Sequence, residues 1–219
     1  RQKPWEGWGR VVENIKRNFS EKDTIPENNK KDGGSKKDNL ANVEISVLDI
    51  GCGNGRFCEY LHKSLRHFSY TGVDINNDLL LEGKEKCKKL TGVKTKFIKK
   101  DIFLDIKNIK GTYNVICGFG VTHHLPDESF REKWFKSLLN LAKKDPETSM
   151  IILSFWNFTK MPGDYLVSWG DETEKPRYCH KYSGKEISNI VNIYKQNNFK
   201  LVDRYNADNK NLYLIFGRI

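Results

Sequence analysis

The sequence predicts a doubly wound α/β domain, a mainly parallel sheet with helices on both faces. Three observations carry this. Short apolar runs alternate with longer segments of helical periodicity, a glycine-rich loop joins the first such run to the first following helix, and 219 residues are enough to bury a full core. The chain reads as a single domain over 1–219, with a flexible insertion at 20–42 and a substrate-side insertion at 156–182.

Each element follows from its pattern. Trp8, Val11, Val12, Ile15 and Phe19 fall on one face of an N-terminal helix. Residues 20–42 have few apolar side chains, a Gly33-Gly34 pair, and five lysines against five acidic residues, so no packed structure is expected there. Ser46 to Ile50 is a buried strand, and Phe57, Tyr60, Leu61 and Leu65 mark the helix beyond the glycine loop. Phe68 to Val73 is a second strand, Asp78 to Leu90 a lysine-rich helix, and Lys94 to Ile98 a third strand. Tyr113 to Cys117, the helix Glu128 to Ala142, and the strand Met150 to Phe155 continue the alternation. A helix from Ser183 to Asn197 buries Ile187, Ile190, Val191 and Tyr194, and Phe199 to Tyr205 with Leu212 to Gly217 form a closing hairpin. That makes seven strands in one sheet.

Composition bounds the partners. Lys plus Arg is 38 against 28 Asp plus Glu, a net charge of +10, which disfavours cationic partners and suits RNA, DNA or an acidic surface. Eight lysines against two glutamates lie between Glu82 and Lys100, and nine basic against three acidic residues between Lys175 and Arg218. Such zones are either solvated faces or phosphate tracks. The five cysteines include no C-x-x-C pair, so neither a zinc ribbon nor a disulfide framework is indicated, and no metal site is expected. A reducing compartment is expected, cytoplasmic and compatible with the nucleus. Met150 to Phe158, the richest apolar stretch, is too short to span a bilayer, so no membrane association is expected. No signal peptide is visible, and the opening at Arg1 rather than Met suits a processed or partial chain.

The loop Asp49-Ile50-Gly51-Cys52-Gly53-Asn54-Gly55 carries the first chemistry. Glycines after a strand admit positive φ and let a ligand come close to the backbone. A triphosphate-binding loop needs Gly-Lys-Ser/Thr, whereas Arg56-Phe57 follows Gly55, and the third glycine comes one place early for the dinucleotide fingerprint. Asp49 repels a pyrophosphate and attracts a cation. S-adenosyl-L-methionine carries a sulfonium and an ammonium and no phosphate, so the loop favours it. Asp74, 19 residues after Gly55, is placed to accept both ribose hydroxyls. Asp101, with Ile102 beside it, is placed for the adenine.

With these residues the sequence resembles the class I S-adenosylmethionine-dependent methyltransferases, over about residues 44–155 and loosely to 219, and the resemblance implies a Rossmann-like fold and that cofactor. It also implies that Cys117-Gly118-Phe119-Gly120-Val121 lines the methionine end, with Gly118 among the cofactor contacts. Four further segments are similar to the tRNA wobble-uridine carboxymethyl methyltransferases. They are Arg1-Gln2-Lys3-Pro4-Trp5, Val121-Thr122-His123-His124-Leu125, Asp164-Tyr165-Leu166-Val167-Ser168-Trp169, where Ser168 replaces that family's proline, and Arg177-Tyr178-Cys179-His180-Lys181-Tyr182. The resemblance implies methyl esterification of a carboxymethyl group on a wobble uridine of tRNA, and a small zinc-binding activator subunit as partner.

In that setting Arg177 and His180 are expected to orient the substrate carboxylate, and Arg1, Lys3 and Trp5 to close over the cofactor. Trp156 and Trp169 are expected to stack the base, with His123 and Tyr178 contacting substrate. Two rivals stay open: a methyltransferase of a small metabolite or protein side chain, and a non-catalytic subunit that keeps the fold.

Overall fold

The computed structural model describes residues 3–20, 45–145, 148–168, 175–208 and 210–219. Arg1, Trp169 and most of the 20–42 insertion lie outside the described residues. Helix α1 (Trp8–Ser20) precedes strand β1 (Ile45–Ile50), α2 (Arg56–His62), β2 (Phe68–Asp74), α3 (Asn77–Cys87) and β3 (Val93–Lys99). Then come β4 (Val115–Gly118), α4 (Glu128–Leu141), β5 (Met150–Trp156), β6 (Gly163–Val167), β7 (Arg177–Lys181), α5 (Gly184–Lys195), β8 (Phe199–Ala207) and β9 (Asn211–Arg218).

Seven strands form one sheet in the order β3-β2-β1-β4-β5-β9-β8. The first five run parallel, and β9 returns antiparallel between β5 and β8. Strand β1 is buried at every position except the half-buried Ser46, because helices cover both faces of a parallel sheet. On one face α1, α2 and α3 bury Trp8, Val11, Ile15, Phe57, Leu61 and Leu80 against Val47, Val115 and Ile215. On the other, α4 and α5 bury Trp134, Phe135, Leu138, Ile187 and Tyr194 against Ile116, Ile151 and Phe216. All five expected apolar residues of α1 are buried.

Strand order reverses between β1 and its neighbours β2 and β4, and the carboxyl ends of β1 and β4 therefore open a crevice, the usual ligand position in such sheets. Two features were not anticipated. The second sheet, β6 paired antiparallel with β7, stands apart from the main one, with Asp164 opposite His180 and Val167 opposite Arg177. Between β4 and α4, Thr122 to His124 wind into a single 3-10 turn.

Candidate active site

The crevice at the end of β1 is a cleft of about 260 Å³ lined by Trp5, Trp8, Asp49, Gly51, Gly53 and Phe119, among others. Gly51 has φ +72° and Gly53 +52°, backbone that only glycine holds without strain. A Cβ on Gly51 would sit 2.1 Å from Val121 Cγ1, whereas one on Gly53 would face nearly open space, its nearest neighbour being Leu79 Cδ1 at 3.9 Å. Gly51 is thus required by packing as well as conformation, and Gly53 keeps the backbone open to a ligand. Gly55, also left-handed, fits against Cys87 and Phe97 under α3 and serves packing of the loop.

Asp49 is buried, and Tyr70 Oη donates to its Oδ2 at 2.5 Å. Burial pushes the Asp49 carboxyl up to about 7, with the Tyr70 hydrogen bond opposing and Asp74 reinforcing the rise. Asp74 accepts from Gly53 N on Oδ2 (2.8 Å) and from Asn76 N on Oδ1 (2.9 Å). Each oxygen keeps a second lone pair for a ribose hydroxyl. Asn76, not Asp74, caps α3. Asp101 Oδ1 closes a turn by accepting from Phe103 N and Leu104 N, and Ile102 is buried with its carbonyl taken by Trp134 Nε1 at 3.0 Å. Gly118 is buried, and a Cβ there would lie 3.2 Å from Leu153 Cδ2, so the position serves close packing of β4 on β5.

The N-terminal segment reaches this cleft. Lys3 O accepts from Arg56 Nη1 at 3.0 Å, and Trp5 stacks on Trp8 with ring centroids 5.8 Å apart. Trp5 also meets the edge of Phe119, and a Cβ on Gly120 would come within 3.1 Å of its ring. Trp8 Nε1 is buried with no hydrogen-bond partner among the described residues. An orphaned indole donor, a glycine cradle and two carboxylates at the ends of adjacent strands fit S-adenosyl-L-methionine. Asp49 would face its cationic methionine end and Asp74 its ribose.

Beside the cleft, the 3-10 turn and β7 meet. His123 is 5% exposed, its ring 4.1 Å from that of His124 and 5.1 Å from that of Trp156. Its Nδ1 has no hydrogen-bond partner among the described residues, and burial with the neighbouring His124 pushes its pKa down to about 3, so the ring is neutral. His124 Nδ1 lies 2.8 Å from Tyr178 O. Of the two histidines, the more exposed one makes the bond. Trp156 continues into Phe158 (centroids 4.4 Å) and Phe158 into Tyr165 (5.4 Å), an aromatic surface of which the last two members were not foreseen. His123, His124 and Cys179 could each present a ligand atom within 4.8 Å of the others, a grouping that the sequence spacing does not reveal.

His180 requires a correction. It is 4% exposed, with Nδ1 2.6 Å from Asp164 Oδ1 and Nε2 2.9 Å from Glu186 Oε1. Both nitrogens are taken by carboxylates, which also repel a further anion. His180 therefore clamps the hairpin and does not reach a substrate carboxylate. Tyr178 Oη joins the same network, 2.6 Å from Asp164 Oδ1, and this bond is the main reason Asp164 sits below the usual carboxylate range. Arg177, at the start of β7, is exposed; burial lowers His124 and raises Cys179, and the nearby Arg177 charge adds to the first shift and opposes the second.

The comparisons agree with this geometry. Residues 47–145 match the family model described as a methyltransferase domain. A candidate methyltransferase of Encephalitozoon cuniculi is 23% identical over 83% of this chain and 82% of its own length. The mitochondrial ubiquinone biosynthesis O-methyltransferase of Saccharomyces cerevisiae is 26% identical over 73% of this chain and 51% of its own. Among solved structures, an S-adenosylmethionine-dependent methyltransferase from Clostridium acetobutylicum superposes with TM-score 0.65 over 99% of this chain and 92% of its own, at 15% identity. No helix among the described residues is long and apolar enough to cross a membrane. Fold, cleft and relatives converge: residues 47–145 match a methyltransferase domain, the fold is that of S-adenosylmethionine-dependent methyltransferases, and the cleft fits that cofactor.

Proposed function

We propose that the substrate is tRNA and the product the methyl ester of a 5-carboxymethyl uridine at the wobble position. The observation that supports this most is the interlocking of segments far apart in sequence around one end of the cleft. Trp5 covers Gly120, His124 bonds to Tyr178 O, and Tyr178 bonds to Asp164. These contacts join three of the four segments that resemble the wobble-uridine enzymes and set the first, through Trp5, against the residue just before Val121.

The chemistry asks little of the protein in proton transfer. S-adenosyl-L-methionine, when bound, supplies an electrophilic methyl group on its sulfonium. A carboxylate is ionised at neutral pH, so no general base is needed. The protein's task is to hold the carboxylate oxygen in line at about 3–3.5 Å and to exclude water. In this proposal Arg177 offers a bidentate fork to the carboxylate. Trp156, with Phe158 and Tyr165, stacks the splayed base, and His123 Nδ1 hydrogen-bonds to it. Tyr178 and His180 are positioning residues that hold β7 in place. Asp49, Asp74 and the Gly51–Gly55 loop hold the cofactor, with Lys3 and Trp5 over its methionine end. A small zinc-binding activator subunit belongs to the same proposal.

The test is methyl transfer from labelled cofactor to bulk tRNA lacking wobble esters, with and without RNase and with and without a candidate activator, read as nucleosides. A labelled carboxymethyl ester on uridine is expected, and Arg177→Ala should lower kcat/KM for tRNA by about 100-fold, the loss of a charge-assisted pair of about 2–3 kcal/mol. Full activity of Arg177→Ala would remove that residue from the site. The similarity to a ubiquinone biosynthesis O-methyltransferase favours a small-molecule acceptor as the second reading. Label appearing in a small-molecule fraction and in no RNA would select it.

A further inference from the structure

Beyond the methyl-transfer cleft, a second cavity of about 440 Å³ opens where β5 ends beside the start of β9 and the end of β8. Its polar lining includes Asn157, Lys181, Ser183, Arg204 and Asn206, and no Asp or Glu is among the described residues that line it. In a chain with 28 acidic residues this one-sidedness is informative.

The nearest carboxylates in sequence are committed elsewhere. Asp203 pairs with Arg10 (2.6 Å) and Asn14, and Glu186 with Ser183, His180 and Arg131. Lys181 Nζ contacts a neutral acceptor, Asn157 Oδ1, and burial holds its pKa below the ordinary lysine value. Phe155, Ile187 and Leu212 form an apolar part of the wall. Two cations with side-chain amide donors match a phosphate group, and the Arg204 guanidinium can meet two of its oxygens at once. Asn157 lies between Trp156 and Phe158 in the chain, so the cavity and the aromatic surface share the end of β5.

We propose that this cavity holds one backbone phosphate of the RNA, next to the nucleotide whose base stacks on the Trp156 cluster. The proposal rests on the tRNA reading above and adds to it a positioning contact that carries no sequence information.

The test is tRNA binding between about 50 and about 200 mM salt, comparing wild type with the Lys181→Ala/Arg204→Ala double variant. Loss of one phosphate contact should lower the slope of log affinity against log salt by about 1 and weaken binding about tenfold at the lower salt. Cofactor affinity should stay at the wild-type value, which also reports that the variant folds. A Lys181→Arg variant should keep the wild-type slope. An unchanged slope and affinity in the double variant, with wild-type protein binding tRNA, would overturn this inference and leave the tRNA reading standing. Absence of tRNA binding by wild type would overturn both. If inorganic phosphate at constant ionic strength stabilises wild type and not the double variant, while the tRNA slope is unaffected, the cavity takes a phosphorylated small molecule and the inference falls.

Discussion

At the scale of single residues, Asp49 is a buried carboxyl at the end of β1, and its proposed facing on a cationic ligand can be tested through pH. Its carboxyl is pushed up to about 7 by burial, although Tyr70 donates to it. The sign of the linkage follows. A carboxyl raised above its unfolded value of 3.8 adds no cost while both states are protonated, costs stability progressively as pH rises from about 4 to about 7, and keeps that full cost above. Replacing Asp49 with Asn keeps an acceptor for Tyr70 and removes that cost. The Asp49→Asn variant should therefore be more stable above pH 7, on the order of 4 kcal/mol for a shift of about three units. The gain should vanish below about pH 4, as measured by urea unfolding across pH. The same variant should lose cofactor binding. In wild type, cofactor affinity should rise by up to about tenfold per unit between pH 5 and 7 as the carboxylate forms, and isothermal titration would read both effects. A pH-independent affinity over that range would mean that Asp49 does not face the cation. The acidic residue was legible in the sequence from its place before the glycine loop. Its tyrosine partner was not, because Tyr70 lies 21 residues away and meets Asp49 only through the parallel register of β1 on β2.

At the scale of elements, the β6–β7 hairpin is held by a chain of charges more than by apolar burial. Strand β6 alternates between half-buried and exposed residues and has no fully buried member. Asp164, His180, Glu186 and Arg131 link β6 and β7 to the first turn of α5 and to α4, and Glu186 also completes the capping box with Ser183. Removing His180 would leave two carboxylates facing a gap and free the hairpin from α5. The His180→Ala variant should lose hydrogen-exchange protection at the β6–β7 amides by at least tenfold, equivalent to about 1–3 kcal/mol of local stability. Amides of the main sheet should be unaffected. His180→Gln should rescue little, because an amide offers a donor at one end and an acceptor at the other while both neighbours are acceptors. If the role is positioning, KM for the acceptor should rise with cofactor affinity unchanged. The helices and main-sheet strands were readable from periodicity, because each presents a continuous apolar face to a core. This hairpin was not, since its apolar residues are few and its order comes from ion pairs whose partners belong to other elements.

At the scale of the molecule, the sheet has two cores, and α1 joins one of them to the cofactor cleft. Tyr205 Oη donates to Gly7 O at 2.8 Å and Arg10 pairs with Asp203, tying the helix to β8 at the far end of the chain. Trp8 is 3% exposed and packs on Trp5, Phe57, Tyr60 and Phe119 while lining the cleft. Its apolar face was visible in the sequence, but its second role was not, because periodicity reports burial and says nothing of what lies beside the buried side chain. The two roles can be separated by comparing positions on the same face. Trp8→Ala should cost about 3–5 kcal/mol of stability and also weaken cofactor binding, since it removes both a core side chain and part of the cleft wall. Val11→Ala, fully buried and not among the cleft residues, should cost about 2 kcal/mol and leave cofactor affinity unchanged. Urea unfolding with and without S-adenosyl-L-methionine measures both, because a ligand that binds only the folded state adds stability in proportion to the logarithm of its occupancy ratio. The cofactor's increment should survive in Val11→Ala and shrink in Trp8→Ala. Equal increments in the two variants would make α1 a structural cover alone, and the cofactor would then be held by the glycine loop and its two carboxylates without the N-terminal aromatic pair.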